Sequence, residues 1–354
     1  MSDPTLLLRE DLRDFAGYAS ARRACGRGDV WLNANESAIA NASDAAGALR
    51  RYPEPQPAAL VRALADLYDV PTACVLACRG SDEAIDLLVR AFCAPGRDAI
   101  AITPPVFGMY AVSARLHGAR VVEVPARDDG ETFTVDLPVL AEVARARGVR
   151  LAFLCSPGNP TGEVLDRDAV IAFARALAGQ AVVVVDEAYI EYADVPSLAA
   201  RVLDTPNLVV LRTLSKAHAL AGARIGCAIA DPRIVASLAR CQAPYPISAS
   251  SCAAALDALA PPARLRSRQA AADVRVERNR LRSALTTLQC VRQVLRSDAN
   301  FLLVRFHDAQ LAWERLIDAG IVVRDMRTDP RLQDALRITV GSPEQNARLL
   351  EALG

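Results

Sequence analysis

The chain has 354 residues, of which 52% are apolar, and its 41 basic and 41 acidic side chains give a formal net charge of zero. This length predicts two domains and leaves enough sequence for a large core without disulfides or metal ions. The balanced charge gives no overall basic field for nucleic acid and no polybasic membrane patch. No stretch has the pattern of an export signal or a membrane span. We therefore expect a cytoplasmic globular protein that binds neither nucleic acid nor membranes.

The nine cysteines are scattered from Cys25 to Cys290, and no two of them form a CxxC pair. Cys74 and Cys78 come closest, but no histidine or second pair stands near enough to complete a zinc site. We expect reduced, mostly buried thiols and no metal site, as is typical of the cytoplasm.

Short β-rich runs alternate with longer helical patterns through the first two thirds of the chain. Six runs predict strands, at residues 99–103, 119–124, 149–155, 181–187, 207–213 and 224–230. Several are apolar throughout, as expected of strands that are covered by helices on both faces. The segments 82–92 and 166–179 between them have helical spacing and a polar start. The pattern predicts an α/β domain built on a mostly parallel sheet.

Two prolines within residues 243–248 interrupt this alternation. Beyond them the sequence predicts a long Arg-rich helical region over about 249–287, strands at 300–306, 321–326 and 336–340, a helix after the first of these strands, and a terminal helix. We interpret this part as a smaller α+β domain. The predicted division is an N-terminal arm (1–30), a large α/β domain (31–245) and a small domain (246–354). We expect the arm to pack on the small domain or on another subunit.

Only one of the 41 basic residues is a lysine, Lys216, and the other 40 are arginines. Arginine can replace lysine on most solvated surfaces. It cannot form a Schiff base, because a guanidinium with a pKa above about 12 does not give up its proton. The single lysine is therefore a candidate covalent catalyst, although on this count alone a lysine retained by chance explains the observation equally well.

Polar residues follow several predicted strands, at the edge where open α/β sheets carry their active sites. Lys216 follows one strand, and Ser215 and Arg224 beside it are candidate phosphate ligands. Asp186 ends another strand, where a buried carboxylate requires a cationic partner such as a pyridinium nitrogen. Tyr189 offers a phenol near the same place. An ordinary strand end followed by helix-start acids is the alternative interpretation.

Two turns complete the set. Asn159 is held between Gly158 and Pro160, and Gly80 and Ser81 join a further short strand to a helix whose first amides and dipole can bind an anion. Each turn alone is typical of many proteins. The two turns occur together with the strand end at Asp186 and Tyr189 and the loop of Ser215 and Lys216. Because each of these four motifs stands at the end of a predicted strand, their conjunction indicates an active site.

In the order and identity of these motifs, the sequence resembles the fold-type I pyridoxal phosphate aminotransferases and, among them, the histidinol-phosphate aminotransferase family. The matching segments span nearly the whole chain: residues 18–37 (YASARRACGRGDVWLNANES), 51–57 (RYPEPQP), 80–83 (GSDE), 104–110 (PPVFGMY), 156–162 (SPGNPTG), 186–191 (DEAYIE), 212–217 (RTLSKA), 243–248 (APYPIS), 322–325 (VVRD) and 336–341 (LRITVG). The resemblance implies the fold-type I fold, pyridoxal 5'-phosphate as cofactor, and transamination between L-histidinol phosphate and 2-oxoglutarate in histidine biosynthesis.

The resemblance also implies roles for the cofactor-binding residues. Lys216 would hold the cofactor as a Schiff base and act as acid and base on the substrate carbon. Asp186 would keep the pyridine nitrogen protonated, while Asn159 and Tyr189 would bind the ring hydroxyl oxygen. The cofactor phosphate would be bound by the amides of Ser81 and Asp82, by Ser215 and Arg224, and by Tyr52 of the neighbouring subunit. A homodimer with shared active sites follows from this last assignment.

Substrate anions are assigned by the same resemblance. Arg324 and Arg337 match the family's arginines, and a guanidinium serves phosphate and carboxylate alike. Tyr18 would add a hydroxyl at the phosphate end, and Asn159 would also face the substrate. With 40 arginines in the chain, only the motif context distinguishes these two from surface charges.

The sequence departs from the family pattern at two positions. Phe107 stands where the family often has a tyrosine stacked on the cofactor ring, and we expect the stacking to be retained. His218 stands where a phenylalanine is usual. We interpret it as filling the space of that ring, with tuning of the local electrostatics near pH 7 as the alternative.

Other hypotheses fit part of the pattern. An aromatic amino-acid aminotransferase or a threonine-phosphate decarboxylase would keep every cofactor residue. A cofactor-sensing regulator would keep them too, but the sequence leaves no helix-turn-helix-sized segment for DNA binding. A dehydrogenase is disfavoured because no GxGxxG motif follows the early strands.

Overall fold

The computed structural model describes residues 3–20, 30–44, 47 and 49–354. Its described residues form ten α-helices: α1 (Ala58–Tyr68), α2 (Gly80–Phe92), α3 (Met109–His117), α4 (Leu137–Ala146), α5 (Arg167–Ala176), α6 (Pro232–Cys241), α7 (Ala249–Leu259), α8 (Pro261–Thr286), α9 (Ala309–Asp318) and α10 (Pro343–Leu353). They also form thirteen strands: β1 (Val75–Cys78), β2 (Ala99–Ile102), β3 (Arg120–Glu123), β4 (Arg127–Asp128), β5 (Phe133–Thr134), β6 (Val149–Cys155), β7 (Val182–Asp186), β8 (Leu208–Thr213), β9 (Gly226–Ala230), β10 (Val291–Val294), β11 (Phe301–Phe306), β12 (Arg324–Asp325) and β13 (Ala335–Thr339).

Seven strands form the main sheet, in the order β1-β9-β8-β7-β6-β2-β3. The neighbours from β8 through β3 pair in parallel, whereas β9 pairs antiparallel with both β8 and β1. The carboxyl ends of β1, β2, β6, β7 and β8 therefore lie at one edge, and β9 begins there. This confirms the predicted α/β fold with a mostly parallel sheet.

The main sheet is covered on both faces, which explains its uninterrupted apolar strands. Every residue of β7, β8 and β9 is buried. One face packs against a core that includes residues of α1, α4, α5 and α7. The other packs against a core that includes residues of α2, α3 and α6.

A second sheet, of four antiparallel strands in the order β10-β11-β13-β12, lies in the C-terminal part of the chain. Its core includes residues from the end of α8, α9 and α10. Ser342 and Gln345 form a capping box that starts α10. The α+β character predicted for this part is observed, while the residue boundaries of the two domains remain a prediction.

The C-terminal helical region differs from the expectation in detail. The predicted region 249–287 is two helices, because the chain is extended at Ala260 before Pro261 begins α8. Proline lacks an amide hydrogen and is well suited to a first helical turn, so the two prolines start a new helix. The strand predicted over 321–326 is only the short β12.

The described part of the N-terminal arm does not pack on the small domain of its own chain, whereas its packing on another subunit stays a prediction. Leu7 and Leu8 are buried in the core that includes α2, α3 and α6, and the amide of Arg9 donates to the carbonyl of Ala91. The described residues 3–20 thus lie against the large sheet unit and not against the small one, because their leucines find an apolar site there. Residues 21–29, including Cys25 and part of the segment 18–37, lie outside the described residues. Within the described part of the chain, no helix is long and apolar enough to span a membrane.

Candidate active site

One pocket opens at the edge of the main sheet where the parallel strands end. Nine residues singled out from the sequence line it: Ser81, Asp82, Phe107, Asn159, Asp186, Tyr189, Ser215, Lys216 and Arg224. They lie at or shortly after the ends of β1, β2, β6, β7 and β8 and in the segment before β9. The shared direction of the strands therefore brings together residues that are up to 143 positions apart.

Lys216 lies three residues after β8, with its Nζ 5.5 Å from the ring centroid of Tyr189. Partial burial of the ammonium lowers its pKa, and the positive charge of Arg337 lowers it further. A lowered pKa increases the fraction of neutral amine at physiological pH. Such an amine is suited to attack a carbonyl carbon.

Asp186 is the last residue of β7 and is only 3% exposed. Its Oδ1 accepts a hydrogen bond from the amide of Ala188 at 3.1 Å, and its Oδ2 accepts one from the hydroxyl of Tyr110 at 2.8 Å. Burial raises the pKa of this carboxyl to about 6. No salt bridge joins it to a cation among the described residues. A cationic ligand in the pocket would therefore stabilise the ionised form.

Tyr110 was not assigned a role from the sequence. It lies in α3, three residues after Phe107, and its segment (PPVFGMY) was noted only as a matching motif. The signal available was a second aromatic residue in the first turn of α3, shortly after Phe107. Which of them would reach Asp186 depends on the packing of α3 on the sheet.

Asn159 connects the two sheets. Its Nδ2 donates to the hydroxyl of Tyr189 at 3.4 Å, and its Oδ1 accepts a hydrogen bond from Nη1 of Arg337 on β13. The guanidinium of Arg337 also lies 5.2 Å from the ring centroid of Phe301. Arg337 is thus held beside the pocket by residues of both sheets.

The start of α2 forms a candidate anion site. Gly80 has a φ of +73°, and the amides of Ser81 and Asp82 that follow are first-turn amides without partners inside the helix. The guanidinium of Arg224 reaches this turn, with Nη2 3.0 Å from Oδ2 of Asp82 and Nη1 3.4 Å from Oγ of Ser215. Amides, a guanidinium and a hydroxyl that converge in this way suit a phosphate.

Glycine is required where β9 passes this turn. A Cβ on Gly226 would lie 2.6 Å from the carbonyl carbon of Gly80 and 2.6 Å from the amide nitrogen of Ser81. The close approach of the two backbones brings Arg224 and the first turn of α2 together.

Four predicted residues do not line the pocket: Arg337 lies beside it, bound to Asn159, and Tyr18, Arg324 and Tyr52 lie elsewhere. Tyr18 is 64% exposed, and Arg324 lies exposed on β12, paired in register with Arg337. Tyr52 is 49% exposed, and its ring stacks on Tyr245 with centroids 4.5 Å apart. Burial lowers the pKa of the Arg337 guanidinium, and the positive charge of Arg324 lowers it further.

Glu187 and His218 lie close in sequence to predicted cofactor residues but do not line the pocket. Glu187 is buried and forms an ion pair with Arg212, which also binds Glu191 at 2.6 Å. His218 is buried, with Nδ1 lacking a hydrogen-bond partner, and it lines a separate cavity beside α8. Burial lowers the pKa of this imidazole and favours its neutral form. No cluster of three metal-ligating side chains occurs among the described residues.

Known proteins resemble the chain in sequence. A family model described as aminotransferase class I and II matches residues 28–353. The histidinol-phosphate aminotransferase of Stenotrophomonas maltophilia is 56% identical over 353 residues, which cover 100% of this chain and 97% of the relative.

Solved structures resemble it in fold. The crystal structure of histidinol-phosphate aminotransferase from Sinorhizobium meliloti in complex with pyridoxal-5'-phosphate has a TM-score of 0.77 and 29% identity, covering 90% of this chain and 88% of that one. L-threonine-O-3-phosphate decarboxylase from Porphyromonas gingivalis has a TM-score of 0.74 and 25% identity, covering 88% and 92%. The fold alone does not separate these two activities, whereas the sequence identities favour the first.

Proposed function

Because the chain belongs to the class I and II aminotransferases and, within them, to the histidinol-phosphate aminotransferases, we propose that it transfers the amino group of L-histidinol phosphate to 2-oxoglutarate, with pyridoxal 5'-phosphate bound in the pocket around Lys216. The observation that carries this proposal is the convergence of an amine, a buried carboxylate and an anion site in one pocket.

The pocket fits the cofactor on three chemical grounds. The amine of Lys216 matches an aldehyde, and the buried Asp186 lacks a cation that a protonated pyridine ring would provide. The first turn of α2 with Arg224 matches a phosphate. These groups are the complement of the cofactor's own aldehyde, ring nitrogen and phosphate.

When bound, the cofactor supplies an aldehyde carbon for the amino group and a cationic ring that accepts electrons from the substrate carbon. The chain's residues hold and orient it. Asp186 balances the positive charge of the ring, and Asn159 and Tyr189 donate hydrogen bonds to its hydroxyl oxygen. Phe107 covers its face. The Nζ of Lys216 is the amine to which the cofactor attaches and the group that takes up and returns the substrate proton.

The substrate anions lie at the small-sheet side of the pocket in this proposal. Arg337 is fixed beside Asn159, and Arg324 is its register partner on β12. Their guanidinium groups bind the phosphate of histidinol phosphate in one half-reaction and a carboxylate of glutamate or 2-oxoglutarate in the other. Tyr18 adds a hydroxyl at the phosphate end.

A homodimer completes the site. Tyr52 is half exposed and lies outside the pocket of its own chain, where it stacks on Tyr245. We assign its hydroxyl to the cofactor phosphate in the neighbouring subunit. The eight described cysteines are all free, which suits the cytoplasmic location that we also propose.

Borohydride reduction tests the cofactor assignment. Purified protein is incubated with pyridoxal 5'-phosphate and reduced, and the labelled peptide is identified by mass spectrometry. Because Lys216 is the only lysine, the only competing primary amine is the α-amino group of the chain. Label on residue 216 is expected. In Lys216→Arg, which keeps the charge, the label disappears and turnover falls by at least about 10³-fold.

The substrate assignment is tested separately. The loaded enzyme is mixed with L-histidinol phosphate alone and its absorbance is followed, and 2-oxoglutarate is then added to restore the starting spectrum. A spectral change with threonine phosphate, accompanied by release of carbon dioxide, and none with histidinol phosphate would instead identify a decarboxylase.

A further inference from the structure

Tyr110 lies beneath the proposed cofactor pocket. Its side chain is fully buried, and its ring stacks on Phe153 of β6 with centroids 4.7 Å apart and planes 12° apart. This stacking fixes the ring against the sheet. The hydroxyl donates to the Oδ2 of Asp186 at 2.8 Å and also lies beside the thiol of Cys155.

Asp186 depends on few donors. Its Oδ1 accepts a hydrogen bond from the backbone amide of Ala188 at 3.1 Å. Within the described part of the chain, Tyr110 is the one residue whose side chain donates a hydrogen bond to the Asp186 carboxylate. A carboxylate that is 3% exposed needs hydrogen bonds or a cation to remain ionised. A hydrogen bond to a charged group contributes more than one between neutral groups.

Tyr110 also contacts the wall of the pocket. The edge of its ring meets Phe107, with centroids 5.6 Å apart and planes 85° apart. Phe107 and Asp186 both line the pocket. One buried tyrosine thus contacts both the residue that covers the ring and the residue that balances its charge.

We propose that Tyr110 is a positioning residue that holds the Asp186 carboxylate ionised and directed into the pocket, so that it can pair with the cationic ring of the cofactor. This inference rests on the proposed function. Tyr110 does not touch the reacting atoms and acts through Asp186. A purely structural tyrosine would influence stability without any specific link to cofactor affinity.

Tyr110→Phe removes the hydroxyl and keeps the ring that packs on Phe153. Tyr68→Phe is the matched control, because the Tyr68 hydroxyl is also buried but has no hydrogen-bond partner. The dissociation constant of pyridoxal 5'-phosphate is measured for both variants and the wild type, with the thermal unfolding midpoint of each cofactor-free protein. We expect the dissociation constant to increase roughly tenfold or more in Tyr110→Phe and to change by no more than about twofold in Tyr68→Phe.

Asp186→Asn provides a second test. If Tyr110 acts through the carboxylate, Asp186→Asn weakens affinity at least as much as Tyr110→Phe, and adding Tyr110→Phe to it changes the dissociation constant by less than about twofold. The inference would be overturned if Tyr110→Phe bound the cofactor as tightly as the wild type. It would also be overturned if Tyr110→Phe weakened cofactor affinity as much in the Asp186→Asn background as it does alone. Failure of the wild type to attach the cofactor at Lys216 would instead overturn the proposed function.

Discussion

Arg337 of β13 donates a hydrogen bond to Oδ1 of Asn159, which follows β6, so one side-chain contact joins the small sheet to the active-site edge of the large sheet. The bond directs the Nδ2 of Asn159 toward Tyr189. The orientation of Asn159, a proposed cofactor ligand, thus depends on Arg337, a proposed substrate ligand. Any movement of the small sheet that displaces Arg337 would release the amide.

This contact predicts energetic coupling between the two residues. Asn159→Ala, Arg337→Ala and the double variant are compared by urea unfolding of the cofactor-free protein. We expect a coupling free energy of about 1–2 kcal/mol, because either single substitution removes the shared hydrogen bond. Asn207 is the control, since its buried amide binds the carbonyls of Ala174 and Ala181 and no active-site residue. Arg337→Ala and Asn207→Ala should be additive within about 0.5 kcal/mol. Additivity in the first pair would contradict the coupling.

The buried Asp186 carboxyl is expected to favour cofactor binding while it lowers the unfolding free energy of the cofactor-free protein at neutral pH. Its pKa is about 6 in the folded chain, against about 3.9 when unfolded. The folded state therefore binds more protons in this range, and the stability contributed by the protonated acid is lost as pH rises from about 4 through about 6. Asp186→Asn removes this loss. Relative to the wild type, the cofactor-free variant should gain roughly 2–3 kcal/mol of unfolding free energy between pH 4 and pH 8.

Urea unfolding of both cofactor-free proteins at the two pH values measures this change. The same variant should bind pyridoxal 5'-phosphate more weakly, because the ring loses its counter-charge. A stability difference that does not vary with pH would show that the carboxyl titrates normally.

The close approach of β9 to the first turn of α2 predicts that Gly226→Ala is damaging. The added Cβ would meet two backbone atoms at 2.6 Å, which no side-chain rotation can relieve. We expect a loss of about 2 kcal/mol or more in unfolding free energy and a weaker affinity for inorganic phosphate and for the cofactor. Gly222→Ala is the control in the same segment, because a Cβ there meets nothing within 4 Å. Similar losses for the two variants would mean that the backbone contact is unimportant.

The proposed exchange of Tyr52 between subunits predicts complementation. Tyr52→Ala and Lys216→Arg are each expected to have low activity as homodimers. When the two variants are unfolded together and refolded, a mixed dimer contains one site with Lys216 from one chain and Tyr52 from the other. Activity should rise well above the sum of the separate samples. No increase, with mixed dimers demonstrated by mass spectrometry, would indicate that Tyr52 serves its own chain or no site.

Much of the active site was predictable because its residues follow strands with strong local signals. The apolar run that becomes β7 predicts a buried strand, and Asp186 comes at its end. Lys216 was identified by the scarcity of lysine and by its place after β8. Since parallel strands end at one edge, these residues were expected to meet, and they line one pocket.

Contacts between distant parts of the chain were not predictable in this way. Tyr110 and Asp186 are 76 positions apart, and Asn159 and Arg337 are 178 apart. The arm was expected on the small domain or on another subunit, and within its own chain Leu7 is buried in the core of the large sheet. Periodicity and turn chemistry act over a few residues and so determine elements and their ends. Which side chains touch across elements depends on the angle and depth at which helices pack on the sheets, and only the folded chain decides that.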